Sequence, residues 1–144
     1  MALVQLVIVL ALVQFFAFAV AVGKARETYG VVAPATTGNE IFERYYRVQM
    51  NTLELLVLLI PALWLFARDL SPATAAGLGA LYLIGRGVYF VSYVKDPKTR
   101  SLGFALSSGP IVLLLLGALF GAVRAVWLHG GRAGAPGPLT RSRV

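Results

Sequence analysis

Four long apolar segments dominate this chain of 144 residues. The first covers residues 1–23 and carries no charged side chain, and the others lie near 41–67, 73–94 and 101–123. Roughly 20 apolar residues in a helix cross the hydrocarbon core of a bilayer, so each segment is long enough to span it. The pattern predicts an all-α, multi-pass integral membrane protein, a four-helix bundle whose single domain covers residues 1–128.

The composition supports the membrane class over a soluble domain. Hydrophobic residues make up 58% of the chain and charged residues 13%, more apolar surface than a soluble domain of this length can bury. The alternative for residues 1–23 is a signal peptide, because Ala19-Val20-Ala21 resembles a cleavage site. However, no basic residue precedes the apolar run, and the run is long for a signal, so a retained helix is favoured.

The net charge of +7 indicates acidic partners. Because the basic residues lie at the edges of the apolar segments or singly within them, we expect contacts with the lipid bilayer and an anionic ligand, and no nucleic acid. The chain has no cysteine, and its single histidine, His129, cannot form a metal site alone, so any thiol must come from a ligand. Residues 129–144 are rich in glycine and arginine and are predicted to be a disordered basic tail.

The connections between the segments predict the topology. Residues 24–40 are interpreted as the first polar loop, with Thr37 or Asn39 as the cap of helix two. The turn at 68–72 is so short that helices two and three must be antiparallel neighbours. Lysine and arginine occur on both sides of the predicted bundle, so their distribution leaves the membrane orientation open.

A polar stripe runs into the second apolar segment. Arg47, Asn51 and Glu54 are four and then three residues apart, which places them on one face of a helix. Ionisable groups at membrane depth are costly and usually mark a functional site. The alternative is that Arg47 and Glu54 only neutralise each other within the bundle.

A second stripe lies on helix three. Tyr82, Arg86, Tyr89 and Tyr93 are spaced by four, three and four residues, and Arg100 follows just beyond the helix. Taken alone, the tyrosines are equally typical of aromatic residues at a membrane boundary. Together with Arg86 they indicate a second face of the same site.

Both stripes approach one side of the membrane, because helix two enters where helix three leaves. Arg26, at the end of helix one, is expected on that side as well, although it could also simply anchor the helix end at the headgroups. Four arginines, one carboxylate and several neutral donors suit a small polyanion with one cationic end, since arginine binds carboxylates in a bidentate fork. The residues expected to converge are Arg26, Arg47, Gln49, Asn51, Glu54, Arg86, Tyr89, Tyr93 and Arg100.

Two runs of residues resemble the MAPEG family, the membrane-associated proteins in eicosanoid and glutathione metabolism. The first run is residues 35–54 (ATTGNEIFERYYRVQMNTLE), and the second is residues 85–93 (GRGVYFVSY), followed by Arg100. The resemblance covers about residues 20–110, agrees in helix number and loop lengths, and is greatest to the leukotriene-C synthase branch. The sequence departs from that branch at Glu27, where the branch has arginine, and at Leu55, where it has tyrosine.

The resemblance implies a homotrimer with glutathione bound between adjacent subunits as co-substrate. It implies a glutathione transferase that acts on lipophilic electrophiles or lipid substrates, with peroxide reduction as a variant. The alternative on the same fold is a non-catalytic lipid-binding scaffold, and a channel is disfavoured because the polar stripes stop half-way across the bilayer. By similarity, one subunit contributes Arg47, Asn51, Glu54, Arg86, Tyr89 and Tyr93, its neighbour contributes Arg26 and Gln49, and Arg100 activates the thiol.

Overall fold

The structure is a computed structural model that describes the backbone of residues 1–130 and the side chains of residues 1–128. Each of the four α-helices in this part of the chain is long and apolar enough to cross a membrane, which confirms the predicted architecture. Of the tail predicted over 129–144, residues 131–144 lie outside the described residues, and residues 129–130 form the end of the last helix. The elements are α1 (Ala2–Thr28), α2 (Glu40–Asp69), α3 (Pro72–Lys95), a 3₁₀ turn (Pro97–Thr99) and α4 (Ser101–Gly130).

The first helix is longer than predicted. Residues 24–28 were assigned to the first loop, and this assignment is wrong, because α1 continues to Thr28. Lysine, arginine and glutamate are good helix formers, and long charged side chains can reach water from a helix end near the headgroups. As a result, Arg26 lies in the last turn of α1.

The start of α2 is fixed by side-chain capping. Of the two predicted caps, Asn39 is the one observed: its Oδ1 accepts hydrogen bonds from the backbone N–H groups of Ile41 at 2.9 Å and Phe42 at 3.1 Å. The carboxylate of Glu43 accepts a hydrogen bond from the N–H of Gly38 at 2.9 Å. Both acceptors satisfy backbone donors that would otherwise be unpaired at a helix start.

The largest apolar core lies towards the end of the bundle that holds the start of α1 and the short turn between α2 and α3. It joins α1, α2, α3 and α4 through side chains such as Val4, Leu59, Leu63, Tyr82 and Leu114, each of which is 0% exposed. The opposite end, where α1 connects to α2 and α3 to α4, is named the loop end, and it contains smaller apolar clusters and most of the polar contacts between helices. The polar site therefore rests on an apolar base.

Two glycines allow α3 and α4 to approach closely. A Cβ added at Gly85 would lie 2.6 Å from the carbonyl carbon of Leu106, and one added at Gly103 would lie 2.5 Å from the Cα of Tyr89. These distances are below van der Waals contact, and the atoms that would be met are backbone atoms. Small residues at such crossings are typical of helix packing in lipid, and this crossing sets where α4 begins relative to α3.

The outer helices present apolar surface to their surroundings. In the most apolar stretch of each helix, 22% of the residues are buried in α1 and α4, against 39% in α2 and α3. Large apolar side chains such as Leu6 and Phe16 on α1 and Leu116 and Phe120 on α4 are exposed. This surface fits lipid contact, and the homotrimer remains a prediction.

Candidate functional site

The polar face of α2 has the arrangement that the spacing predicts. Nη1 of Arg47 lies 4.0 Å from Oε1 of Glu54, and Nδ2 of Asn51 donates a hydrogen bond to Oε2 of Glu54 at 3.3 Å. The Arg47 and Glu54 side chains are 60% and 56% exposed. An exposed ion pair of this length contributes little to stability, so both charged groups are available to a ligand.

Arg86 connects the polar stripe of α2 to the stripe of α3 from within the bundle. It is 0% exposed. Its Nη1 donates to Oδ1 of Asn51 at 3.0 Å, and its Nη2 donates to Oγ1 of Thr52 at 2.6 Å and to the carbonyl of Val48 at 3.3 Å. The guanidinium also lies 4.3 Å from the ring centroid of Tyr89. These contacts connect α3 to three positions on α2 and place the face of α2 beside that of α3.

The aromatic stripe of α3 continues from Arg86 towards α4. The ring of Tyr89 is buried and stacks on the ring of Tyr93 at 5.3 Å between centroids. The guanidinium of Arg100 lies 5.8 Å from the Tyr93 ring centroid, and Arg100 is exposed. The stripe thus leads from a buried cation to an accessible one at the start of α4.

Two adjoining cavities open at the loop end of the bundle. The first has a volume of about 440 Å³ and is lined by groups that include Thr37, Arg47 and Tyr93. The second has a volume of about 640 Å³ and is lined by groups that include Arg100 and Phe104. Pro97 lines both cavities, and their sizes are typical of small-molecule sites.

Arg26 lies apart from the Arg47–Asn51–Glu54 face within the chain. Its Nη1 donates to the carbonyls of Val31 at 3.2 Å and Ala35 at 2.7 Å, and its guanidinium lies 4.7 Å from the Phe42 ring centroid. Arg26 therefore holds the first loop against the start of α2. Gln49 is two residues from Arg47 and so lies on another face of α2.

Within the single chain, the structure brings most of the predicted site residues together. Arg26 and Gln49 are the exceptions, and the resemblance assigns both of them to a neighbouring subunit. The residues connected by the contacts above are Arg47, Asn51, Glu54, Arg86, Tyr89, Tyr93 and Arg100.

Two residues of the site region were missed by the sequence reasoning. Thr52 is 1% exposed, and its hydroxyl donates to the carbonyl of Val48 at 2.7 Å while it accepts from Arg86. Arg44 donates from Nη1 to the carbonyls of Val94 at 3.2 Å and Lys95 at 3.1 Å, the last turn of α3. Thr52 could have been found as a hydroxyl among the inward-facing residues of α2. Arg44 could have been found as a second cation on α2, one turn before Arg47.

The fold and this arginine-rich cluster define a multi-pass membrane protein with a polar site at one end of a four-helix bundle. The MAPEG family model matches residues 3–120. The chain belongs to the MAPEG family, which confirms the resemblance found in the sequence.

Several relatives extend this result. An uncharacterized protein of Synechocystis is 48% identical over 114 residues, which are 79% of this chain and 83% of the relative. Microsomal glutathione S-transferase 2 of Homo sapiens is 45% identical over 103 residues, 71% of this chain and 70% of the relative. Leukotriene C4 synthase of Bos taurus is 32% identical over 111 residues, 77% of this chain and 64% of the relative. The relatives thus include enzymes that use glutathione.

Proposed function

We propose that this protein is a membrane-bound glutathione transferase that joins the glutathione thiolate to lipophilic electrophiles. The observation that carries the proposal is the half-exposed Arg47–Asn51–Glu54 face, which the buried Arg86 holds beside Tyr89, Tyr93 and Arg100. The similarity to microsomal glutathione S-transferase 2 supports the same substrate.

The charges of this face suit the ends of glutathione. The tripeptide carries two carboxylates and one ammonium group, besides its thiol. Arg47 offers a planar fork to a carboxylate, and Glu54 offers a carboxylate to the ammonium group. Because these two side chains lie 4.0 Å apart in a weak exposed pair, the ligand replaces only a weak interaction when it binds between them.

Arg100 is the proposed catalytic group. A free thiol has a pKa of about 8.5, and a reactive thiolate at neutral pH needs a shift of roughly 1.5–2 units, or about 2–3 kcal/mol. One hydrogen bond from a charged donor contributes about 1.5–3 kcal/mol, which is enough. The thiol proton leaves to solvent, the sulfur forms a bond to the electrophilic carbon, and the leaving group departs with its electron pair.

The second cavity provides the approach for the electrophile. It contains the apolar ring of Phe104 and the hydroxyl of Ser101 beside Arg100, at the start of a helix whose outer surface is apolar. A lipophilic substrate can therefore reach the sulfur from the bilayer. In the proposed homotrimer, Arg26 and Gln49 of a neighbouring subunit complete the glutathione site.

The test uses the full chain purified in detergent. Glutathione is expected to give the ultraviolet difference spectrum of a bound thiolate and to be conjugated to a chromogenic chlorodinitrobenzene. A hydroperoxide assay measures the variant reaction, in which two glutathione molecules become a disulfide as the peroxide is reduced. No spectral change and no glutathione binding would refute the proposal, whereas binding with no turnover of any electrophile or peroxide would indicate a scaffold.

Substitutions at two cations that line the second cavity test which residue activates the thiol. Arg100→Ala should lose the thiolate spectrum and the rate while it keeps glutathione binding. Lys98→Ala is the matched control, because Lys98 is an exposed cation that lines the same cavity and has no proposed role in the reaction. Full rate in Arg100→Ala would transfer the activating role to another residue.

A further inference from the structure

The orientation of the Asn51 amide is set by Arg86. A guanidinium carries only hydrogen-bond donors, so Asn51 must present its oxygen to Nη1 of Arg86, at 3.0 Å. The amide nitrogen of Asn51 is then directed to Glu54, where Nδ2 donates to Oε2 at 3.3 Å. The three side chains form a directed chain of hydrogen bonds from the buried interior to the exposed face.

The same chain of hydrogen bonds orients the carboxylate of Glu54. One oxygen, Oε2, accepts from Asn51, and the other, Oε1, faces Nη1 of Arg47 at 4.0 Å. The carboxylate accepts this exposed hydrogen bond at 3.3 Å and is biased towards one orientation. It therefore presents its remaining acceptor sites in a defined direction to a ligand that carries hydrogen-bond donors.

The burial of Arg86 shows that its contacts lie within the protein. At 0% exposure its guanidinium meets two side-chain oxygens, one backbone carbonyl and the face of Tyr89. A buried charge is costly unless it is well bonded. A lysine, which has a single ammonium, could not reach these acceptors with the same planar fork.

We propose that Arg86 is a positioning residue that acts through Asn51 to orient the Glu54 carboxylate, and thereby makes the site selective for thiol peptides with a free α-ammonium group. This inference rests on the proposed function and names the determinant of its thiol substrate. Because Arg86 is 0% exposed, this inference gives it an indirect role, in place of the direct glutathione contact that the resemblance implies. A residue that only holds α2 to α3 would instead affect every ligand of the site equally.

The test compares two thiols in the full-length protein. One is glutathione, and the other is its deamino analogue, in which a glutaryl group replaces the γ-glutamyl group. The wild-type protein should bind glutathione about 10- to 100-fold more tightly, the size expected for one hydrogen bond between charged groups. In Arg86→Gln the ratio of the two dissociation constants should fall towards one, mainly through weaker glutathione binding.

A matched pair at Thr52 tests the same chain without removing the charge. Thr52→Val deletes the hydroxyl that accepts from Nη2 of Arg86 at 2.6 Å, while Thr52→Ser keeps it. The valine variant should lower the selectivity ratio, and the serine variant should keep it near the wild-type value. This pair decides the question if Arg86→Gln does not fold.

The outcomes separate the inference from the function on which it rests. Wild-type protein that binds both thiols equally would overturn the selectivity while leaving the transferase proposal intact. Equal weakening of both thiols in Arg86→Gln, or an unchanged ratio in a folded Arg86→Gln or Thr52→Val protein, would show a merely structural role. Failure of the wild-type protein to bind either thiol would overturn both proposals.

Discussion

The approach of α3 to α4 gives a sharp test of how Arg100 is positioned. In Gly103→Ala the new Cβ would lie 2.5 Å from both the Cα and the N of Tyr89. Carbon atoms pack at about 3.5–4.0 Å, so the helices must separate by about 1 Å at this crossing. Backbone atoms cannot rotate away as a side chain could, and the start of α4 must move.

This movement should reduce the rate more than the binding of glutathione. Arg100 lies one turn before Gly103 and would be displaced with the start of α4, whereas Arg47, Asn51 and Glu54 lie on α2. A misplacement of 1 Å can cost about 100-fold in rate, so we expect kcat/KM to fall by about that factor. Overpacking should also lower the free energy of unfolding by about 1–3 kcal/mol.

The assay combines turnover of the chlorodinitrobenzene, calorimetric binding of glutathione and thermal unfolding in detergent. Gly77→Ala on α3 is the control, because a Cβ at Gly77 meets nothing within 4 Å and no proline follows it. It should keep the wild-type rate and gain up to about 1 kcal/mol from helix propensity. Wild-type rate and stability in Gly103→Ala would refute the argument that this crossing positions Arg100.

Three further variants test other parts of the site. At pH 7 a thiol of pKa about 8.5 is only a few per cent thiolate, so Arg100→Ala should lose about 30-fold in rate and regain it as the pH rises above 8.5; a flat pH profile would contradict thiolate stabilisation. Glu54→Gln should weaken glutathione binding about 10- to 100-fold in calorimetry, and unchanged affinity would exclude Glu54 as a ligand. Asn39→Ala should lower the free energy of unfolding by about 1 kcal/mol through the lost cap, measured by thermal unfolding. Unchanged thermal stability together with a reduced turnover rate would contradict a purely structural role.

Hydrophobic patterning predicted the membrane helices well because every span must satisfy its backbone internally. The error at the end of α1 has the same physical origin. Charge at residues 24–27 was taken as the end of the helix, although the helix can continue once it leaves the apolar core of the bilayer. The start of α2 was more accurate, since Asn39 provides a specific chemical signal there.

Side-chain spacing predicted which residues share a face of the site, but it did not predict which of them are buried. The intervals between Arg47, Asn51 and Glu54 correctly placed them side by side. Spacing alone could not show that Arg86 would be enclosed, because that depends on how α3 is rotated against α2. The role of Thr52 was missed for the same reason, since its value lies in a contact between helices.

The enclosure of Arg86 has an electrostatic consequence for the whole loop end of the bundle. Its hydrogen-bond acceptors are neutral oxygens, so they spread the positive charge without cancelling it. In a medium of low dielectric constant such a charge produces a potential that reaches well beyond its neighbours, and mobile ions screen it far less than they screen surface charges. We therefore expect Arg86 to favour the binding of anions next to it, with a weaker dependence on salt than a surface arginine would show.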